Sequence, residues 1–424
     1  MINYKLGLYA IIGYLIATLI FTFPLIVNIT NSIHGIPHDN FGTLWDLWAY
    51  NFAIKNQIPF NSFDYINYPY GVNITPSIKM FTSYNFNFIT SYLIPNAYFA
   101  YNLITIIKFI FASYSMFLLL KLMNIKVVVS WIGGCLYAFN PFMSSLTLAY
   151  GPNFISLFLP LLAFSIINFI QKRNISTLAL MIIVLCLFFG ENYYYTYFTF
   201  VSTVITSIIY FLLRSKSFYR SLSLHIIKKK YYKLFITCLI TMLFSCVIIL
   251  LLIYLRKYFI LLGNNYSISD AMRMAARPVF YFIPPINNTF LGELFTDYYW
   301  SKMKPTMDTF EQSIYFGYSL LIIILFGCLR YSSFPFTIKK YYLWFISMFF
   351  ISIFLALGPM LPNTLDGMSS EESLTIKNIG YYFFDFAPMF RHQTRYHLIT
   401  SFSLVVCFIL TLNYLIHIKY YKKN

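Results

Sequence analysis

Few side chains in this sequence can do chemistry. His38 and Asp39 adjoin in IPHDNFGTLWDLWAYNFAI, Ile36 to Ile54. A partly desolvated carboxylate beside an imidazole can serve as a general base near neutral pH. The same acid, or Asn40 after it, stands where a helix would start and could cap backbone N–H groups. Asp46 follows two helical turns on, either as a second substrate contact on the same face or on a solvated polar face. Glu191 is the one charge in GENYYY (Gly190–Tyr195). A carboxylate beside Tyr194 and its neighbours could hold a sugar by hydrogen bonds at its edge and stacking on its face; tyrosines also form interfacial belts. In RHQTRYH, Arg391 and Arg395 are four apart and would share one helical face. Two guanidinium forks there suit a phosphate, and the helix N-terminus beside them favours an anion; lipid head groups offer a simpler use. Arg273 and Arg277 repeat the spacing. Lys108 lies inside an apolar run, where a charge marks a functional site or snorkels to the surface.

The elements that must position these residues are membrane spans. The chain is 59% hydrophobic, 21% aromatic and only 10% charged, with mean hydropathy +0.67. Soluble domains carry about 25% charged residues. A span needs about 20 apolar residues to cross about 30 Å of hydrocarbon. Ten runs are candidates: Leu6–Val27, Ala97–Leu120, Val127–Ala149, Phe154–Ile170, Ser176–Gly190, Tyr193–Leu213, Lys233–Leu255, Ile314–Leu329, Tyr341–Gly358 and Tyr396–Ile418. The patches Tyr84–Pro95 and Pro278–Leu291 are too short to span and read as re-entrant or interfacial. The expected fold is an all-α polytopic membrane protein of about ten transmembrane helices, one integral domain over residues 1–424. Long outer loops fall at about 28–96, 256–313 and 359–395, with a basic inner loop at about 214–232.

With the N-terminus cytoplasmic and the spans alternating, 18 of the 30 basic residues fall inside and all 13 acids outside. The first count follows the positive-inside tendency and places both termini in the cytoplasm. The net charge of +17 then faces anionic lipid rather than nucleic acid. All six cysteines lie within expected spans, which implies no disulfide framework or thiolate metal site. Phe41, Leu44, Trp45, Trp48 and Phe52 recur at helical spacing and predict a helix lying on the membrane surface. The expected spans hold no acid, which weighs against a coupled transporter.

Read in order, the motifs form a pattern. An acid follows the first span, then W-x-x-W (Trp45, Trp48), NYPYG (Asn67–Gly71), YAFNP (Tyr137–Pro141), GPN (Gly151–Asn153), FEQSIYFGY (Phe310–Tyr318), LALGP (Leu355–Pro359) and FAPMFRHQTRYH (Phe386–His397). This order resembles the GT-C class of polytopic glycosyltransferases, including its bacterial YfhO-like branch, over most of the chain. The resemblance implies a polyprenyl-phosphate sugar as donor and a glycan, lipid or protein as acceptor. It implies transfer on the extracytoplasmic face of the cytoplasmic membrane. Asp39 then matches the first-loop catalytic acid, and Arg391 and Arg395 match the residues that hold the donor phosphate, with His38, Asp46, Glu191 and Tyr194 around the substrate. The departure is AYGPN (Ala149–Asn153), which lacks the acid that many members carry in the second outer loop. A monophosphate leaving group held by arginine needs no metal, and no metal or other cofactor is expected. The alternatives are an accessory protein that binds lipid-linked sugar without reacting, and a flippase or transporter for it.

Overall fold

The computed structural model describes residues 4–75, 80–220, 266–285, 288, 291–302, 310–361 and 376–421. These residues are helical, with no strand among them beyond two isolated bridges. Five helices are long and apolar enough to cross a membrane, and six if one bent pair counts as a span. The protein is a helical membrane protein.

The N-terminal half runs α1 (Tyr4–Phe21), α2 (Asn40–Lys55), α3 (Phe81–Leu93), α4 (Ala97–Leu122), α5 (Val127–Ala138), α6 (Pro141–Tyr150), α7 (Phe158–Lys172), α8 (Ile175–Glu191) and α9 (Tyr193–Arg220). The C-terminal half adds α10 (Ile268–Arg273), α11 (Gly292–Lys302), α12 (Tyr318–Leu329), α13 (Phe336–Ala356), α14 (Ile379–Phe386) and α15 (His397–Tyr421). α4 packs against α1, α5 and α7, while α15 packs against α5, α12 and α13. Helix starts leave free N–H groups that need acceptors, and asparagine supplies them at three of these helices. Asn96 accepts from Phe99 at 2.9 Å, Asn140 from Met143 at 3.0 Å and Asn174 from Thr177 at 3.0 Å.

Four expected spans take a different form, and one of them, Ser176–Gly190, is the 17-residue α8, shorter than the helices that can cross a membrane. Val127–Ala149 is broken into α5 and α6, which meet at 42°. Pro141 has no N–H to continue the helical ladder and sits in the first turn of α6, with Asn140 capping it. In Ile314–Leu329 the helix starts only at Tyr318, after Gly317 at φ +83°, so α12 is short. The Tyr193–Leu213 run lies in α9, which is long but not among the helices apolar enough to span. Lys233–Leu255 and the basic run Lys228–Lys233 lie outside the described residues.

α2 forms where expected, but a different face is buried. Asn40, Thr43, Leu47 and Ala53 turn inward, and Leu47 packs on Ala100, Tyr101 and Ile104 of α4. Phe41 and Trp48 remain 48% and 44% exposed. Tyr50 is buried as well, with Trp45 and Phe52 packed beside it, which leaves Phe41 and Trp48 outermost.

Ahead of α2, the carbonyl of Leu148 accepts from the Ile36 N–H at 3.0 Å and from Asn40 Nδ2 at 3.1 Å. This ties the His38 segment to the end of α6. Gly35, at φ +137°, makes it possible, since a Cβ there would stand 2.6 Å from the Leu148 oxygen. Gly35→Ala is expected to lower stability by about 1–3 kcal/mol, read from thermal melts of the detergent-solubilised protein. A change in midpoint below 1 °C would contradict this tie.

Candidate functional site

The charged and aromatic groups gather where the Gln393–Tyr396 turn enters α15. At the centre is Glu311, 1% exposed. Its Oε1 accepts from Arg395 Nε at 2.9 Å and Nη2 at 2.7 Å. Its Oε2 accepts from the Thr394 hydroxyl at 2.7 Å and lies 3.1 Å from His392 Nδ1. Burial alone would raise this carboxyl, but the charge of Arg395 and the hydrogen bonds outweigh it and hold Glu311 well below its ordinary value. Burial lowers His392, against the partial pull of Glu311. A neutral His392 donates Nδ1–H to Glu311, leaving Nε2 to accept. Arg391 Nε–H donates there, at 3.4 Å. The bonding on both nitrogens agrees on one tautomer.

Arg395 is enclosed as well as paired. Its guanidinium lies 4.4 Å from the Tyr194 ring centre, 5.0 Å from Phe154 and 5.9 Å from Tyr150. The Tyr194 hydroxyl is spent on the Met389 carbonyl, 3.2 Å away. Arg391 is different. It is half-buried, lies 4.2 Å from the Tyr266 ring, and has no carboxylate partner among the described residues. The expectation of two arginines on one helical face is therefore corrected. Arg391 precedes a 3₁₀ turn that contains Arg395, and Arg395 is committed to Glu311. Of the two arginines, Arg391 is the one not committed to Glu311.

His38 reaches the same place from the other end of the chain. Its ring meets the edges of Tyr150 at 5.2 Å and Phe310 at 5.8 Å. Tyr150 thus touches both His38 and Arg395. Asp39 lies 3.7 Å from His38 Nδ1, with its side chain 74% exposed. It stands at the first position before α2, yet its carboxylate makes no capping hydrogen bond. The capping role is therefore corrected, because the backbone at Asp39 is already helical (φ −59°, ψ −16°) and turns the carboxylate outward.

Two expected contributors sit apart. Glu191 is the last residue of α8, not part of a surface turn, and is 1% exposed. It accepts from Ser156 Oγ and the Leu157 N–H, each at 2.9 Å. Its charge faces Lys108, which donates to Asn153 at 3.2 Å and Ser83 at 3.5 Å. Lys108 is thus buried and bonded, not snorkelling, and the bundle does contain a buried acid. Asp46 is half-buried against Tyr50 and Tyr84 rather than solvated. Burial pushes its carboxyl up to about 7. A raised acid pKa costs stability as pH climbs from its unfolded value of about 4 to about 7, and the cost is complete above that. Asp46→Asn is expected to stabilise the protein by about 1–3 kcal/mol at pH 8 and by almost nothing at pH 3. Equal shifts at both pH values would refute it.

Of the second arginine pair, Arg273 is bound to Asp270 and Arg277 is buried. Sequence reading passed over Glu311, His392, Tyr150 and Tyr266. Glu311 carried a signal, since it is an acid within FEQSIYFGY, but nothing marked Arg395 as its partner. No cluster of three or more His, Cys, Asp or Glu able to hold a metal occurs among the described residues. The chain matches no protein family, no curated protein and no solved structure.

Proposed function

We propose that the protein is a GT-C-type membrane glycosyltransferase of about ten spans. On this reading it moves a sugar from a polyprenyl phosphate to an acceptor hydroxyl outside the cytoplasmic membrane, with both termini in the cytoplasm. One observation carries it. The acid–imidazole pair Asp39–His38 and Arg391, which has no carboxylate partner among the described residues, come from opposite ends of the chain and are linked through Tyr150, Arg395 and the Glu311 network. Asp39 takes the proton from the acceptor hydroxyl. The acceptor's oxygen forms the new bond to the anomeric carbon as the bond from that carbon to the phosphate oxygen breaks with inversion. The electron pair leaves on the polyprenyl phosphate, which Arg391 stabilises as a fixed cationic donor. Glu311 holds Arg395 and His392 in place, so Arg391 has a rigid neighbour.

The test is transfer from radiolabelled polyprenyl-phosphate sugars in proteoliposomes across a panel of acceptors. Arg391→Ala is expected to cut kcat/KM about 10–100-fold, the worth of a charge-assisted phosphate contact. Wild-type protein that binds donor but transfers to no acceptor would replace this reading with the accessory one. The transporter reading draws on the buried Lys108–Glu191 pair. Flux of lipid-linked sugar driven by a pH gradient, and lost in Glu191→Gln, would favour it.

A further inference from the structure

The connector 151–157, between α6 and α7, forms one wall of the site. The ring of its Phe154 lies 5.0 Å from the Arg395 guanidinium and 5.0 Å from the ring of Tyr150, which also meets His38. A connector has no helical ladder of its own, so its backbone groups must find partners elsewhere. Two tyrosines take its carbonyls. The Tyr195 hydroxyl donates to Phe154 at 3.0 Å, and the Tyr137 hydroxyl donates to Ser156 at 2.8 Å.

The other holds come from two buried charges. Before Phe154, the Asn153 side chain accepts from Lys108 Nζ at 3.2 Å. After it, Glu191 accepts from Ser156 Oγ and the Leu157 N–H, each at 2.9 Å, and from the Phe158 N–H. Leu157 and Phe158 open α7. The carboxylate therefore caps that helix, where free N–H groups and the helix dipole favour a negative charge. Ser83 of α3 links the two charges. It lies 3.5 Å from Lys108 Nζ and donates to the Glu191 carbonyl at 2.9 Å. α3, α4 and α8 thus form one frame, and the connector is docked on it at both sides of Phe154. Apolar side chains would fill the same space with less desolvation. What the two charges add is direction, because their bonds end on the residues that flank Phe154.

We propose that Lys108 and Glu191 are positioning residues, which set the place of Phe154 and with it the aromatic wall around Arg395. The consequence for sugar transfer rests on the transferase reading, and the geometric role does not.

The test puts 4-fluorophenylalanine at position 154 of the full chain and reads its fluorine resonance in detergent, well below the melting midpoint. Lys108→Met combined with Glu191→Gln removes both charges together, which a fold tolerates better than stranding one. It is expected to shift and broaden the resonance. Ser156→Ala keeps both charges, removes one bond to Glu191 and is expected to give a smaller shift. Thr411→Val removes a buried hydroxyl about 20 Å along α15 from His397 and is expected to give none. In proteoliposomes the double variant should lose kcat about 10–100-fold, as misplaced groups do. Donor KM should change little, since none of these bonds is made to Arg391. An unmoved resonance in the double variant would overturn the proposal, and Ser156→Ala decides in the same way if the double variant does not fold. An equal shift in Thr411→Val would overturn it too. The resonance needs no turnover. If it responds while the wild type transfers no sugar, the positioning stands and the transferase reading falls.

Discussion

Glu311→Ala is expected to lower stability by about 3–5 kcal/mol, the usual cost of stranding one member of a buried ion pair. Arg395 would keep its charge with 5% of its surface exposed and lose both bonds to Oε1. His392 and Thr394 would lose their shared acceptor as well. Thermal melts in detergent would read this as a large drop in midpoint. Glu311→Gln retains the shape and a carbonyl acceptor but not the charge, and should fall in between. Pairing Glu311→Leu with Arg395→Met should recover much of the loss, because it removes both charges together. The pH dependence has a definite sign. A carboxyl held below its ordinary value contributes stability that is present above its unfolded pKa of about 4 and is lost as pH falls. The melting midpoint of the wild type should therefore drop on acidification below about pH 4 more steeply than that of Glu311→Gln. A Glu311→Ala protein that melts with the wild type would show that the network does not hold the site.

The sequence announces the membrane class through composition, since a chain with so few charges has no other way to bury its apolar surface. It also places α1, α4 and α15 well, because those runs are long, apolar and unbroken. It misjudges elements where one residue overrides the apolar average. Pro141 breaks a run that hydropathy alone reads as continuous, and Gly317 delays a helix by several residues. The site shows the same limit. His38, Asp39 and Arg391 could be chosen from sequence because each stands out locally in a loop. Glu311 could not be chosen, because its meaning comes from Arg395, 84 residues away. Spacing put Arg391 and Arg395 on one face by assuming an α-helix, and the 3₁₀ turn removes that premise. Glu191 and Lys108 each looked like a lone charge at or inside the membrane. They face each other across α8 and α4, a relation no local pattern encodes.

Asp39→Asn is expected to reduce sugar transfer about 10²–10⁴-fold, the range for losing a general base. Donor KM should change little, because the phosphate contact we propose lies at Arg391 and not at Asp39. The melting midpoint should not move either. A carboxylate that caps a helix contributes about 1 kcal/mol, but that of Asp39 makes no capping bond and stands in solvent. The pair of readouts separates chemistry from architecture. Lost transfer with an unchanged melt assigns Asp39 to the reaction. A lowered melt with proportionally lowered transfer would return it to the role of helix cap. Full transfer in Asp39→Asn would move the base elsewhere in the site, and His392 would be next to test. Its Nδ1 is fixed by Glu311, and its Nε2 already accepts a hydrogen bond.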